Sequence, residues 1–406
     1  MLSFILTGLL NQAQGWEKMD KMQNIRKKLD ELQAADLIRK PITLESAAGA
    51  SVASGGRELL CFSSNDYLGL ANDPAVRAES RDALSKWGLG SGASRLICGT
   101  MEPHVQLERA LAKFECCEAV AVTTTGWLAN HAAIGALAGP GDLVLCDKLN
   151  HASIIDAIAA CGARLRTYRH CDAEHLREIL GKHRSQYRQC LITTDSLFSM
   201  DGDLAPLVEI AKLKRKYDAM LMIDEAHATG AWGKTGRGIA ELLGVETDVD
   251  VTVGTLSKAI GALGGFVAGS AELIELIRNT ARPYIYTTAL PPAICAAACK
   301  SLEIIRDEPA RREKLQASAK YLRETLAQAG LNTLNSTSQI IPVVIGSAAQ
   351  AQAVSQELLA CGFLIPAIRP PTVRPGSSRL RISISAKHTQ ANLTSLAKTL
   401  VGLLTG

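Results

Sequence analysis

Residues 220–227 read Met220-Leu221-Met222-Ile223-Asp224-Glu225-Ala226-His227. Four apolar residues in a row, without polar alternation, suit a strand covered on both faces, as strands of parallel sheets are. A carboxylate closes the run, and burying one is costly unless it has a partner. Similar short runs lie on either side: Ala119–Thr123, Leu143–Asp147, Leu165–Tyr168 and Leu191–Asp195 before it, Val249–Thr255 and Phe266–Ala268 after it. Helical patterns at Leu128–Leu137, Ser153–Ala160, Ala173–Leu180 and Pro206–Tyr217 separate several of them. The alternation predicts an α/β fold, with a mostly parallel sheet covered by helices. In such sheets ligands sit at the carboxyl ends of strands, where Asp224 falls.

The chain has 406 residues, too many for one typical core. We expect an N-terminal helix and arm over 1–56, a large domain over 57–300 and a smaller C-terminal α/β domain over 301–406. In the last third, a helical stretch runs from Pro291-Pro292 to about Ala329. A strand at Ile340–Ile345, a helix near Ala349–Cys361, a proline-rich stretch Pro366–Pro375, a strand Leu380–Ser385 and a final helix follow.

Apolar residues make up 47% and the net charge is +4, with no basic block, which argues against a nucleic-acid partner. The eleven cysteines contain no Cys-x-x-Cys pair, so they read as reduced thiols of a cytoplasmic protein, and no metal site is expected. The apolar run Met1–Leu10 lacks a positive n-region and is too short to span a bilayer. Met19 and Met22 stand just before an amphipathic helix carrying Ile25, Leu29 and Leu32, which suggests a later natural start. No other segment reaches transmembrane length, so no membrane partner is expected.

Two patterns imitate nucleotide sites. Asp224-Glu225-Ala226-His227 spells a helicase-type box, and Gly233-Lys234-Thr235 spells the end of a phosphate loop. The glycine such a loop needs five residues earlier is Ala228, and the loop follows the box instead of preceding it. Gly88, Gly90 and Gly92 follow a helical pattern, Pro74–Trp87, rather than a strand, so a flexible loop is the simpler reading.

A different chemistry fits the strand ends. Pyridoxal phosphate needs a lysine for its imine, a carboxylate to keep the pyridine nitrogen protonated, a flat cover for the ring, and a helix N-terminus with hydroxyls for the phosphate. Thr123-Thr124-Thr125-Gly126-Trp127 lies between a strand and a helix; an ordinary threonine N-cap would look the same. His151 follows the strand ending at Asp147 and could cover a ring, or merely cap a helix. Asp224 supplies the strand-end carboxylate, and His227 lies three residues on. Gly254-Thr255-Leu256-Ser257-Lys258 ends another strand with a lysine beside two hydroxyls, although a surface lysine would be the default for that pentapeptide alone.

Taken together, from about Ile25 onward, the chain resembles the α-oxoamine synthases, fold type I pyridoxal-phosphate enzymes. Matching segments include Phe62-Ser63-Ser64-Asn65-Asp66-Tyr67-Leu68-Gly69-Leu70, Gly90-Ser91-Gly92-Ala93-Ser94-Arg95, Ser199-Met200-Asp201-Gly202-Asp203, Asp224-Glu225-Ala226-His227 and the Lys258 pentapeptide. The resemblance implies a Schiff base on Lys258, a pyridinium partner in Asp224 and a stacking, catalytic role for His151. It implies cofactor contacts from Ser199, His227 and Thr255, with Gly126 and Trp127 at the phosphate. Thr287 and Thr288 match positions that reach the cofactor of a neighbouring subunit, since the family is homodimeric with interfacial sites. Trp127 is a departure, standing where relatives often carry phenylalanine or tyrosine.

The stretch Ala367-Ile368-Arg369-Pro370-Pro371-Thr372-Val373, followed by Arg379-Leu380-Arg381, resembles the biotin-pathway branch. That branch condenses L-alanine with a pimeloyl thioester, carried by coenzyme A or by acyl carrier protein. By the same resemblance Arg381 and Asn65 hold the amino acid carboxylate, and Arg39, His151 and Thr372 are substrate-binding positions. Two other readings stay open: another member of the family, such as a glycine C-acetyltransferase, and a non-catalytic regulatory subunit, against which the intact Lys258 and Asp224 argue.

Overall fold

A computed structural model describes residues 21–405; Met1–Leu10 and Met19 lie outside them. The amphipathic helix Lys21–Ala34 comes first. A hairpin follows, β1 (Ser51–Ser54) against β2 (Arg57–Cys61). Its two-residue turn is Gly55-Gly56, with φ of 58° and 69°, and such tight turns demand positive φ at both positions.

The central sheet contains β3 (Ala119–Thr123), β4 (Leu143–Asp147), β5 (Arg164–Tyr168), β6 (Cys190–Asp195), β7 (Met220–Asp224), β8 (Val251–Thr255) and β9 (Gly265–Gly269). It is seven-stranded, in the order β3-β9-β8-β7-β6-β4-β5. The neighbours among β4 to β8 pair in parallel; β9 is antiparallel to both of its neighbours, β3 and β8. These strands match the apolar runs of the sequence to within two residues.

Strand alternation divides the apolar side chains between two cores. Val120, Val122, Leu143, Leu145, Ile192, Leu221 and Ile223 face one side, toward the helices Glu102–Glu115, Ala173–His183 and Leu207–Lys216. Ala121, Val144, Cys146, Leu191, Met222, Val253 and Val267 face the other. There they meet the helices Gly126–Leu137, Ala152–Cys161 and Ala271–Thr280. Covering both faces is why β4 and β6 are buried along their whole length.

The C-terminal part is smaller. It holds β10 (Ile340–Gly346), β11 (Phe363–Leu364), β12 (Ala367–Ile368) and β13 (Ser378–Ser383). β13 pairs antiparallel with both β10 and β12, and β11 runs parallel to β2. Helices Ala310–Gln328, Ala348–Ala360 and Gln390–Thr405 complete it. The helical stretch expected from Pro291 to Ala329 is two helices, Pro292–Asp307 and Ala310–Gln328. Pro309 separates them: it has no N–H to bond back and pushes Glu308 out of the helical region, to φ −119° and ψ 63°. Among the described residues, no helix is long and apolar enough to cross a membrane.

Candidate active site

The carboxyl ends of β6, β7 and β8 deliver Asp195, Asp224 and Thr255 to one cavity of about 220 Å3. The same cavity is lined by Gly126, Trp127, Asn130, His151, His227 and Lys258. A larger cavity of about 810 Å3 lies at the opposite edge of the sheet, off Met220, Asp250 and Gly269. The carboxyl edge is where open α/β sheets bind ligands, so the smaller cavity is the candidate site.

Lys258 sits on the connection between β8 and β9. Burial is the main influence on its amine; Asp224 and Asp195 oppose it, and the net result is a pKa lowered to about 8. Its Nζ lies 3.0 Å from His227 Nε2, and His227 Nδ1 lies 2.6 Å from the Tyr67 hydroxyl. Tyr67 donates to Asn65 Oδ1 at 3.1 Å, and Arg381 Nη2 donates to the same oxygen at 3.2 Å. A hydrogen-bonded relay therefore runs from Lys258 to Arg381. Its polarity follows from the donors: with the Tyr67 proton spent on Asn65, His227 donates through Nδ1 and accepts from Lys258 at Nε2. Burial holds His227 well below the usual imidazole range, and the nearby Lys258 and Arg381 add to the effect, so it is the neutral ring that the relay requires.

Asp224 accepts from Asn130 Nδ2 at 2.7 Å and from the Ala226 amide at 2.8 Å. Asp195 stands beside it in register on the next strand. Burial, reinforced by the Asp224 charge, pushes Asp195 well above the ordinary carboxyl range. His151 caps the helix Ala152–Cys161 at the mouth of the cavity, its Nδ1 accepting from the Ser153 amide at 3.3 Å with Ser153 Oγ 2.8 Å away. Trp127 meets the His151 ring edge-on at 5.8 Å. Thr125 caps the helix that starts at Gly126, and the first residues of that helix, Gly126 and Trp127, line the cavity with it. The packing there is close: a Cβ on Gly126 would lie 3.3 Å from that of Thr255, and one on Gly265 would strike the Thr125–Gly126 backbone.

These residues fit pyridoxal phosphate. An amine, a strand-end carboxylate, an imidazole at the mouth and a helix N-terminus beside the Thr255 and Ser257 hydroxyls surround one small cavity. Residues 57–400 match the family described as aminotransferase class I and II. The chain is 45% identical to the 8-amino-7-oxononanoate synthase of Geobacter sulfurreducens, over 91% of this chain and 95% of that one. The chain belongs to the 8-amino-7-oxononanoate synthase family. Like that family it is a pyridoxal-phosphate-dependent acyltransferase. Its fold is also that of Sphingomonas wittichii serine palmitoyltransferase, with a TM-score of 0.89, 33% identity, and 95% and 98% of the two chains covered. A second serine palmitoyltransferase structure, described as holding a PLP internal aldimine, has a TM-score of 0.88 and 33% identity, covering 95% and 97%.

The residues named from the sequence fall into three groups. Gly126, Trp127, His151, Asp224, His227, Thr255 and Lys258 line the cavity. Asn65 and Arg381 join it through the relay, and Ser199 turns its carbonyl to Arg381 Nε at 2.6 Å. Arg39, Thr372, Thr287 and Thr288 do not line it. Arg39 instead reaches the Pro370 carbonyl at 2.7 Å, close to the exposed Thr372. Thr287 and Thr288 line a separate small void with Thr123 and Thr124. Asp195, Asn130 and Tyr67 were not singled out from the sequence. Asp195 could have been, because it closes a fully buried strand as Asp224 closes its own; Tyr67 and Asn130 carry no such local signal. The phosphate-loop imitation at Gly233-Lys234-Thr235 is filled by the protein itself, since Glu241 accepts from the Thr235 and Arg237 amides, both at 3.0 Å.

Proposed function

We propose that this cavity joins L-alanine to a pimeloyl thioester with loss of carbon dioxide, giving 8-amino-7-oxononanoate and the free thiol carrier, a step of biotin biosynthesis. The relay from Lys258 to Arg381 is the observation that carries this assignment. It sets an amine and a guanidinium at the two ends of one buried network, as an α-amino acid requires when its α-proton is taken at one end and its carboxylate held at the other. Bound pyridoxal phosphate supplies an electron sink for the carbanion. Asp224, fixed by Asn130 and the Ala226 amide, is placed to hold a proton on the pyridine nitrogen. Lys258, with its lowered pKa, is the base for the α-proton once its amine is free. Arg381 binds the carboxylate through a planar fork that a lysine could not reproduce. His151 would cover the ring, and the Gly126 and Trp127 amides with Thr255 would hold the phosphate.

We further propose a homodimer in which Thr287 and Thr288 reach the partner's cofactor. Their absence from the lining of their own Lys258 cavity supports this, as does the exposure of Leu89, Ile97 and Tyr286, at 80%, 80% and 70%. Arg39 and Thr372, beside the Pro370 loop, are assigned to the acyl substrate. The test is turnover of L-alanine against glycine, each with pimeloyl-coenzyme A, pimeloyl-acyl carrier protein and acetyl-coenzyme A. Turnover should be fastest with alanine and a pimeloyl donor, and the two pimeloyl donors will identify the carrier. Preference for glycine with acetyl-coenzyme A would overturn the assignment.

A further inference from the structure

The segment between β6 and the helix Leu207–Lys216 leaves the sheet, turns back and returns. Leu197 and Leu204 bridge antiparallel at its base, and the Phe198 amide donates to the Asp203 carbonyl at 3.0 Å. Its tip crosses to the C-terminal part. There Arg379 pairs with Asp201, Arg381 Nε donates to the Ser199 carbonyl at 2.6 Å, and the Gly202 carbonyl accepts from the Thr337 amide at 3.1 Å. Three side chains hold the base of this loop: Ser196 Oγ donates to Glu225 Oε2 at 2.5 Å, Cys171 Sγ to the Leu204 carbonyl at 3.4 Å, and His170 bridges it to the end of β4. His170, just beyond β5, places Nδ1 2.9 Å from Asp147 Oδ1 and Nε2 2.8 Å from Asp203 Oδ2. Phe198 closes edge-on against its ring, at 4.4 Å. Asp147 is itself fixed, accepting from the Leu149 and Cys171 amides, each at 2.8 Å.

We propose that His170 is a positioning residue for the amino acid carboxylate: bridged between Asp147 and Asp203, it fixes the loop whose Ser199 carbonyl aims the Arg381 fork. The proposal rests on the assignment of that carboxylate to Arg381. Both ring nitrogens face carboxylate oxygens, so each carries a proton and the ring is an imidazolium. Burial alone would lower its pKa, but the hydrogen bonds to Asp147 and Asp203 outweigh it and raise the pKa to about 12. The same oxygens, with Cys171 or Asp201, lie close enough together to suggest a cation site. The ring protons already supply the positive charge there.

The alanine site is thereby coupled to a residue outside the cavity. Arg381 has one fork nitrogen on Asn65, one on Ser383 Oγ at 2.8 Å, and its Nε on the Ser199 carbonyl. Releasing the loop removes only the last of these. The expected defect is thus a loss of alanine affinity without loss of the guanidinium charge, and with little change for the thioester.

The test uses cofactor-loaded enzyme with His170→Gln, Asp203→Asn, both together, and Arg381→Lys for reference. Alanine affinity is read from the change in cofactor absorbance on titration, and KM for both substrates and kcat from steady-state rates. We expect His170→Gln and Asp203→Asn each to weaken alanine about five- to tenfold, as loss of a charge-assisted contact does. KM for pimeloyl-coenzyme A should stay within about twofold, and the double variant should be no worse than the weaker single one, because both cut one link. If His170→Gln does not fold, Asp203→Asn, which preserves size and shape, carries the test. Unchanged alanine affinity in the clamp variants beside a weakened Arg381→Lys would overturn the role of His170 alone. Equal losses for both substrates with a lowered unfolding temperature would also overturn it, leaving His170 as a fold-holding residue. Unchanged alanine affinity in Arg381→Lys would remove the underlying carboxylate assignment instead.

Discussion

An amine lowered to about 8 is a usable nucleophile near neutrality, whereas a surface lysine stays protonated. The neutral fraction of Lys258 grows as pH rises through that value. Apoenzyme should therefore take up pyridoxal phosphate at a rate that climbs between roughly pH 7 and 9 and then levels off. Stopped-flow absorbance across that range measures it, with Lys258→Ala as the blank that forms no borohydride-reducible product. A rate still climbing steeply at pH 10 would mean that the burial of this amine has no chemical consequence. Asp224 invites a second substitution. Asp224→Asn keeps the contact with Asn130 possible but removes the negative charge that retains a proton on the ring nitrogen. Turnover should fall by a hundredfold or more, roughly 3 kcal/mol in the barrier, while the cofactor remains bound. Near-normal turnover would make Asp224 a structural carboxylate.

Among the elements, most strands of the central sheet were legible because each is a largely apolar run closed by a hydroxyl, a carboxylate or a glycine; the edge strand β5, with Arg164 and Arg166, is the exception in composition. Buried parallel strands leave few alternatives to that pattern. The relay was not legible, because its members are far apart in the chain: Tyr67 meets His227 across 160 positions and Arg381 meets Asn65 across 316. Only the topology brings them together. The break at Pro309 was overlooked although the local sequence marks it: the apolar spacing lapses between Ile305 and Leu315, and the imino acid in that gap ends the helix. The loop after β6 offers a prediction of its own. Gly202 has φ +70°, and a Cβ there would collide with the Ile340 carbonyl and the Ser336 hydroxyl. Gly202→Ala should cost about 2 kcal/mol or more, from backbone strain and overlap together. Calorimetry should show the drop in unfolding temperature. A variant as stable as the parent would show that the loop yields at this point.

For the whole molecule, the proposed dimer makes the single chain an incomplete enzyme. Ile97→Glu puts a charge into the exposed apolar patch and should yield monomers in sedimentation experiments, with activity lost although the Lys258 cavity is intact. Recovery of activity on mixing would not be expected from this variant. Mixed dimers of Lys258→Ala with Thr288→Ala chains should instead retain one complete site, if the two residues serve opposite cavities. A fully active Ile97→Glu monomer would remove the dimer from the catalytic requirement and return Thr287 and Thr288 to a structural role.

β3 opens the central sheet, yet it pairs only with β9, which closes it. The turn proposed to hold the phosphate follows β3, and the backbone it rests against, at Gly265, begins β9. A chain emerging from the ribosome presents the first part on the order of ten seconds before the second exists. Until β9 arrives, the leading strand has no partner and the turn after it has no Gly265 backbone to rest against. The pocket therefore has a birth time late in translation, and the vitamin can be captured only by a chain whose sheet is already complete.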